Sequence, residues 1–304
     1  MSRSERRARI DRILELTERL LSRHVGDPPG EAVFRETHAF RWDARRGLGA
    51  LVPISEPQRF ELDDLIGVER ARERLLTNIE QFLAGVPSNH VLLYGERGTG
   101  KSSAVRGLLT RFAERGLRLI ELHKLDLAHL PEVLYAIRGA PYRFLLFCDD
   151  LSFDEGETGY RELKAALEGS LEAPPENVRI IATSNRRYLL PQKRSENAEV
   201  RVDEDGELHP GEALEEKLAL ADRFGLVLGF FSFNQDTYLA IVRRYLEKAS
   251  GPAMDGAIRA DALRWALERS SRSGRTARQF VDDLLGKRAL ESRSRAVGAQ
   301  TPAR

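Results

Sequence analysis

"GERGTGKSS", Gly95–Ser103, follows the apolar run "HVLLY", His90–Tyr94, and its reading decides the fold. Gly95, Gly98, Gly100, Lys101 and Ser102 satisfy G-x-x-x-x-G-K-[ST], a spacing whose backbone N–H groups wrap phosphate. Glycine admits positive φ and lets the main chain approach an anion. A helix opening near Lys101 aims its first N–H groups at the same place. Lys101 would reach the β- and γ-phosphates and the Ser102 hydroxyl a Mg²⁺ ion. At ordinary glycine usage this pattern arises by chance in a chain of this size at a rate on the order of one in a hundred or less. The alternative, a glycine-rich turn with an incidental lysine, does not explain why a predicted strand precedes it and a predicted helix follows.

Working outward, short runs rich in Val, Ile, Leu and Phe predict five strands: His90–Tyr94, Leu117–Leu122, Phe144–Cys148, Arg179–Thr183 and Leu226–Phe230. Continuous apolar runs of that length suit parallel strands buried on both faces. Helical stretches at Lys101–Arg115, Leu130–Arg138 and Tyr160–Leu171 separate them, and "ELDDLIGVERARERLLTNIEQFLAG" leads in with a loop and a helix. The expected fold is α/β, a three-layer αβα P-loop domain with a five-stranded parallel sheet. After "FFSFNQ" only helical patterns remain, at Gln235–Lys248, Asp261–Ser270 and Thr276–Leu285, which predicts a small helical lid. The expected division is 1–60, an N-terminal helix over Glu5–His24 and a small β element in "FRETHAFRWDARRGLGALVPI"; 61–232, the ATPase core; 233–291, the lid; and 292–304, a loose tail without apolar periodicity.

Composition narrows the class. Of 304 residues, 31% are charged and 41% apolar, too polar for a membrane span, and the 48 basic and 47 acidic residues nearly cancel, so net charge does not advertise a polyanion partner. One cysteine, Cys148, excludes an internal disulfide framework, and six scattered histidines show no zinc spacing. The first twenty residues lack the apolar core of a signal peptide and carry too many acids for a transit peptide. A cytoplasmic protein is expected.

Two carboxylates end the third strand in "RFLLFCDDLSF". Phosphoryl transfer needs a metal holder and a group that orients the attacking water. Asp149 is the candidate for the Mg²⁺ sphere, through water, and Asp150 for the water-polarising base; the alternative is a solvated acidic turn. The next strand, "RIIATSNRR", ends on Asn185, an uncharged amide able to bond the γ-phosphate or the water, or simply to cap a helix. Arg223 in "LALADRFGL", and Arg275 and Arg278 in "SGRTARQF", are candidates to offset developing charge, with surface salt bridges as the alternative.

As a set these residues resemble the AAA+ ATPase family, in the opening motif "DDLIGVE", Walker A "GERGTGKS", Walker B "LLFCDD", sensor-1 "ATSN", the arginine-finger stretch "LADRFG" and sensor-2 "SGRTAR". The resemblance spans about Asp63 to Leu285 and implies rings or spirals with ATP at subunit boundaries. By position it implies that Gly95, Glu96, Arg97, Gly98, Thr99, Gly100, Lys101, Ser102 and Ser103 bind ATP and Mg²⁺, and that Ile66 and Gly67 contact adenine. Asn185 would be sensor 1, Arg223 the finger supplied in trans, and Arg275 the sensor-2 residue acting in cis. Most members carry Asp-Glu in Walker B; Asp149-Asp150 here looks like the replication-initiator and helicase-loader branch. The shorter second acid implies slow hydrolysis or a switch. More closely, "QFLAGVPSNHVLLYGERGTGKSS", "FCDDLSF" and "SRSGRTARQFVDDL" resemble a bacterial AAA+ family catalogued as a domain of unknown function.

Three readings of the load follow, in this order. The first is a homo-oligomeric engine or switch acting on an unknown protein partner, with "VRVDEDGELH", Val200–His209, as a β-hairpin that contacts substrate or is merely solvated. The second is a nucleic-acid loader, from the run Phe34, Arg35, Phe40, Arg41, Trp42, Arg45 and Arg46, whose alternative is a packed sheet with arginines on its wet face. The third is a small-molecule kinase.

Overall fold

In a computed structural model of the chain, the residues described are 31–44, 49–153, 158–168, 175–185, 201–202, 208–209 and 220–299. The helix expected over Glu5–His24, and Arg45 and Arg46, lie outside them.

The chain opens with α1 (Glu31–Glu36), β1 (Ala39–Asp43) and β2 (Ala50–Pro53). A 3₁₀ turn, Leu62–Asp64, leads into α2 (Glu69–Leu83), β3 (Val91–Gly95) and α3 (Lys101–Phe112). There follow β4 (Leu117–Glu121), a 3₁₀ stretch Lys124–His129, α4 (Leu130–Ile137), β5 (Arg143–Cys148), α5 (Thr158–Glu168) and β6 (Val178–Ser184). A two-residue pair, β7 (Arg201–Val202) and β8 (Leu208–His209), precedes β9 (Leu226–Phe230), and α6 (Gln235–Lys248), α7 (Gly256–Glu268) and α8 (Gly274–Ala299) complete the order.

All five expected strands form, but the sheet has seven, in the order β2-β1-β4-β5-β6-β3-β9. The correction comes from the pair predicted in the 34–54 stretch. β1 runs parallel to β4, and β2 turns back antiparallel on β1, giving a mixed sheet. The reason is visible in β1: Phe40 and Trp42 point to one face and are buried, while Arg41 between them is exposed. Strand β4 would otherwise be an edge with unpaired backbone groups, and β1 satisfies it. Arg118 on β4 secures the join. Its buried guanidinium donates to the carbonyls of Phe34 (2.6 Å), Ala113 (2.8 Å) and Leu117 (2.8 Å), and lies over the Tyr142 ring.

Alternation along the central strands divides the core in two. Val91, Leu93, Leu145, Phe147 and Ile181 face α2, α3 and the C-terminal helices. Leu92, Phe144, Leu146, Ile180 and Ala182 face α1, α4 and α5. Helices thus cover both faces, as the continuous apolar runs require.

Strand β3 sits between β6 and β9, while the chain leaving it passes to β4 on the far side of β5 and β6. Connections therefore diverge around the carboxyl end of β3. Open α/β sheets bind ligands in the crevice at such a switch point.

The last helix differs most from expectation. Its pattern predicts Thr276–Leu285 with a loose tail from 292, yet α8 continues to Ala299, and 300–304 lie outside the described residues. From Gly286 to Ser294 every residue is exposed. Apolar periodicity records a buried face, so a helix that buries none has no such signal; its Ala, Arg, Leu, Lys and Glu are good helix formers. Strands β7 and β8 pair antiparallel as a hairpin should, with the turn at 203–207 outside the described residues.

Candidate functional site

The turn from β3 into α3 holds three glycines at positive φ: Gly95 at 130°, Gly98 at 77° and Gly100 at 103°. All three face close neighbours: a Cβ on Gly100 would lie 2.7 Å from the Leu65 side chain. A Cβ on Gly95 would lie 1.9 Å from the Phe230 carbonyl oxygen, and one on Gly98 would lie 2.8 Å from Ser273 Oγ. Glycine is therefore required here both by the conformation and by the crowding. The Thr99 hydroxyl donates to the Glu96 carbonyl at 2.8 Å and tightens the loop.

Lys101, the first residue of α3, is buried, and its ammonium donates to the carbonyls of Gly95 (2.8 Å) and Glu96 (2.7 Å) and to Asn185 Oδ1 (3.2 Å). Burial pushes its pKa below the ordinary lysine value; Asp150 and Asp149 push it back up, and Arg275 and Arg97 push it down. Four charged side chains thus surround one ammonium, which is the electrostatics of a site for a charged ligand.

The carboxylates come from the end of β5. Asp149 Oδ1 accepts from Ser102 Oγ and from Thr183 Oγ1, both at 2.6 Å. Asp150 lies at φ 50°, uncommon for a residue other than glycine, and its Oδ1 accepts from Asn185 Nδ2. The Asp150 N–H donates to Thr183 Oγ1 at 2.9 Å. Lys101, Ser102, Asp149, Asp150 and Asn185, drawn from three separate stretches of sequence, form one bonded cluster.

The cluster floors a cavity of about 1180 Å³ between the sheet and the C-terminal helices. Arg97, Gly98, Thr99, Gly100, Lys101, Ser102 and Ser103 line it, with Asp149, Asp150, Asn185, Ile66, Arg275 and Arg278. Gly95, Glu96 and Gly67 do not line it: Gly95 and Glu96 act through the carbonyls that hold Lys101, and Gly67, at φ 84°, packs under Phe233 and Thr237. Helix α8 meets the loop directly, since the Gly274 N–H donates to the Gly98 carbonyl at 2.9 Å. Arg275 follows it, exposed toward the cavity, and Arg278 pairs with Asp282.

Arg223 is elsewhere. It precedes β9 by three residues, while the far end of β9, at Phe230, bonds Glu96 N. The length of β9 thus lies between Arg223 and the phosphate loop, and Arg223 does not line the cavity.

Two residues carry more than the motifs indicated. Thr183 is 1% exposed and touches both carboxyl-bearing residues. Its one signal is its place two residues before Asn185, on the same side of the chain. Asp64, its side chain 3% exposed, takes Arg244 at 2.8 Å on one oxygen and Lys248 on the other, tying the lead-in turn to α6 across the cavity. No local pattern marks that contact, which spans 180 positions.

The rings of the aromatic-basic run are not surface platforms. Phe34, Phe40 and Trp42 are at most 3% exposed, and Phe34 packs edge-on against Phe40 and Phe144. Arg41 pairs with Glu121 at 2.8 Å. That is the packed sheet with arginine on its wet face. Among the described residues no helix is long and apolar enough to cross a membrane, and no three His, Cys, Asp or Glu side chains gather as a metal cage.

Residues 35–288 match the family described as "Protein of unknown function (DUF815)". No curated protein matches the chain. Two solved structures of mutant RuvB from Thermotoga maritima are similar at 17% identity and TM-score 0.51; the match covers 76% of this chain and 66% of one structure, 67% of the other. A DNA replication initiation factor is 20% identical over 78% of this chain and 68% of its own, with a TM-score of 0.47. At such identity the RuvB likeness speaks to the fold, an α/β fold with a mixed sheet similar to AAA+ P-loop ATPases.

Proposed function

The chain belongs to the DUF815 family, and on that premise we propose that it is an ATPase that binds and hydrolyses ATP with Mg²⁺ at an intersubunit site, driving remodelling or nucleotide-dependent switching of a macromolecular partner. The observation that carries the reading is the bonded cluster of Lys101, Ser102, Asp149, Asp150 and Asn185 at the mouth of a glycine loop.

The residues fit the nucleotide and the metal. The loop holds glycine at the positions where a Cβ would clash or a positive φ is needed, and a helix N-terminus opens behind it. Mg²⁺ is typically held by one or two carboxylates together with substrate phosphates, so Ser102 and Asp149 are a sufficient protein contribution without a cage. Mg²⁺, held there by Ser102 and Asp149, would supply neutralisation of the charge on the β- and γ-phosphates. Lys101 offers an ammonium to the β- and γ-phosphates, and Ser102 and Asp149 present oxygens on one side of it. Asp150 is the base that orients and deprotonates water, and Asn185, bonded to both Lys101 and Asp150, links phosphate position to base position. Ile66 lines the cavity where adenine would lie, with Gly67 behind it, and Arg275, beside the loop on α8, adds positive charge in cis, as a lid would.

Arg223 does not line its own cavity, which supports its supply to a neighbouring subunit's site. Nucleic acid is the weaker partner, because the rings that would have stacked on bases are core residues.

The test is mass and hydrolysis measured together, with and without ATP, for wild type and Arg223→Ala. ATP-dependent assembly, turnover rising with protein concentration, and a loss of about 10³-fold or more in the variant with nucleotide binding intact are expected. A monomer that hydrolyses ATP equally well without Arg223 removes the intersubunit site and returns the reading to a switch or kinase.

A further inference from the structure

The two carboxylates at the end of β5 are adjacent in sequence, in a turn, and exposed. Nothing in the turn itself dictates where either carboxylate points. Ser102 bonds one carboxylate and Asn185 the other, and Thr183 on the next strand reaches both residues. β5 and β6 pair in register with Cys148 opposite Ala182, which brings Thr183 beside the turn.

Thr183 bonds three consecutive residues. Its hydroxyl donates to Asp149 Oδ1 at 2.6 Å and accepts from the Asp150 N–H at 2.9 Å, and its carbonyl accepts from the Leu151 N–H at 2.7 Å. A hydroxyl has one proton. Because the Asp150 N–H can only donate, that proton goes to Asp149, and both directions are set. The bond to Asp150 N also holds that residue at its positive φ, a conformation retained only where surroundings over-determine it. Asn185, two residues on and on the same face, then takes Asp150 Oδ1. Asp149 Oδ2 has no hydrogen bond among the described residues and is left to face the cavity chemistry.

We propose that Thr183 is a positioning residue that sets the two carboxylates against each other, Asp149 toward the metal and Asp150 toward the water. The inference rests on the ATPase reading above. It requires a hydroxyl and not the threonine shape, so serine should serve and valine should not.

The experiment compares wild type, Thr183→Val and Thr183→Ser in three measurements: ATP hydrolysis against Mg²⁺ concentration, Mn²⁺ binding to the protein–ADP complex by electron paramagnetic resonance, and ADP affinity in EDTA. Loss of a partner that orients a metal ligand costs about 10–100-fold in metal affinity or activity, and that loss is expected for valine in the first two measurements. ADP affinity in EDTA should stay at the wild-type level, and serine should restore metal binding and turnover. Valine that binds Mn²⁺ and turns over like wild type overturns the proposal. So does serine that loses metal binding and turnover relative to wild type by as much as is expected for valine, which would assign the effect to methyl packing; this arm needs only the serine variant and holds even if the valine variant does not fold. Wild type that binds neither ADP nor Mn²⁺–ADP would instead sink the ATPase reading, and that failure is visible without any variant.

Discussion

The carboxyl edge of the sheet and its added flank, α1 with β1 and β2, hold equally conspicuous residues but use them in opposite ways. At the carboxyl edge, polar groups from α3, β5 and β6 converge and bond one another beside a cavity. On the flank, Phe34, Phe40 and Trp42 vanish into the core, and Arg41 and Arg118 close ion pairs and backbone caps. The lesson is about the type of signal. The loop is a spacing with a mechanism behind each residue. The aromatic-basic run is a composition, and on a strand with one wet face the same composition is what half-burial produces.

Each region can be broken separately. The largest expected effect is on the flank: Phe40→Ala removes a fully buried ring and should cost about 3–5 kcal/mol, read by urea denaturation. ATP turnover per folded molecule should be unchanged. If Phe40→Ala instead left stability intact and abolished binding to an oligonucleotide, the flank would be a nucleic-acid surface after all.

Next in size, Lys101→Ala should lower ATP hydrolysis by about 10²–10³-fold, the cost of removing one oriented charge-stabilising donor, with a smaller loss of stability than Phe40→Ala. A Lys101→Ala protein that turns over like wild type would reduce the carboxyl edge to a packed polar seam.

The smallest effect comes from pH and sharpens the contrast, because it acts at the far end of β3. His90 Nδ1 accepts from the Ile180 N–H at 2.9 Å, so the ring there must be neutral. Burial first, then Arg179, lowers its pKa to about 4 from 6.5. Between those values the unfolded chain binds the proton and the folded one does not, so this contribution is whole above pH 6.5 and is lost as pH falls toward 4. A loss of about 3 kcal/mol is expected near pH 4. His90→Asn should flatten the melting temperature across that range; an unchanged slope would mean that other groups dominate acid sensitivity.

Much of this is legible beforehand because it is local. The five central strands show as short apolar runs, and Gln235–Lys248 matches α6 to the residue, with Asn234 capping it through Thr237 N. Thr183 carries only its spacing from Asn185, which has no meaning until its neighbour strand is known. Asp64 is equally silent, since its partners lie on α6. Residues 286–294 of α8 escape for the opposite reason, having no burial to leave a pattern.

By itself, then, the sequence determined the α/β alternation, the phosphate-type loop and the acids that follow it, because spacing along the chain dictates backbone conformation over a few residues. The tertiary structure decided which strands became neighbours, and with that the seven-stranded sheet, the burial of the flank's rings and the grip of Thr183 on Asp149 and Asp150. Those depend on backbone pairing and burial between segments far apart in sequence. No local preference encodes such contacts, and they exist only once the sheet has closed around its core.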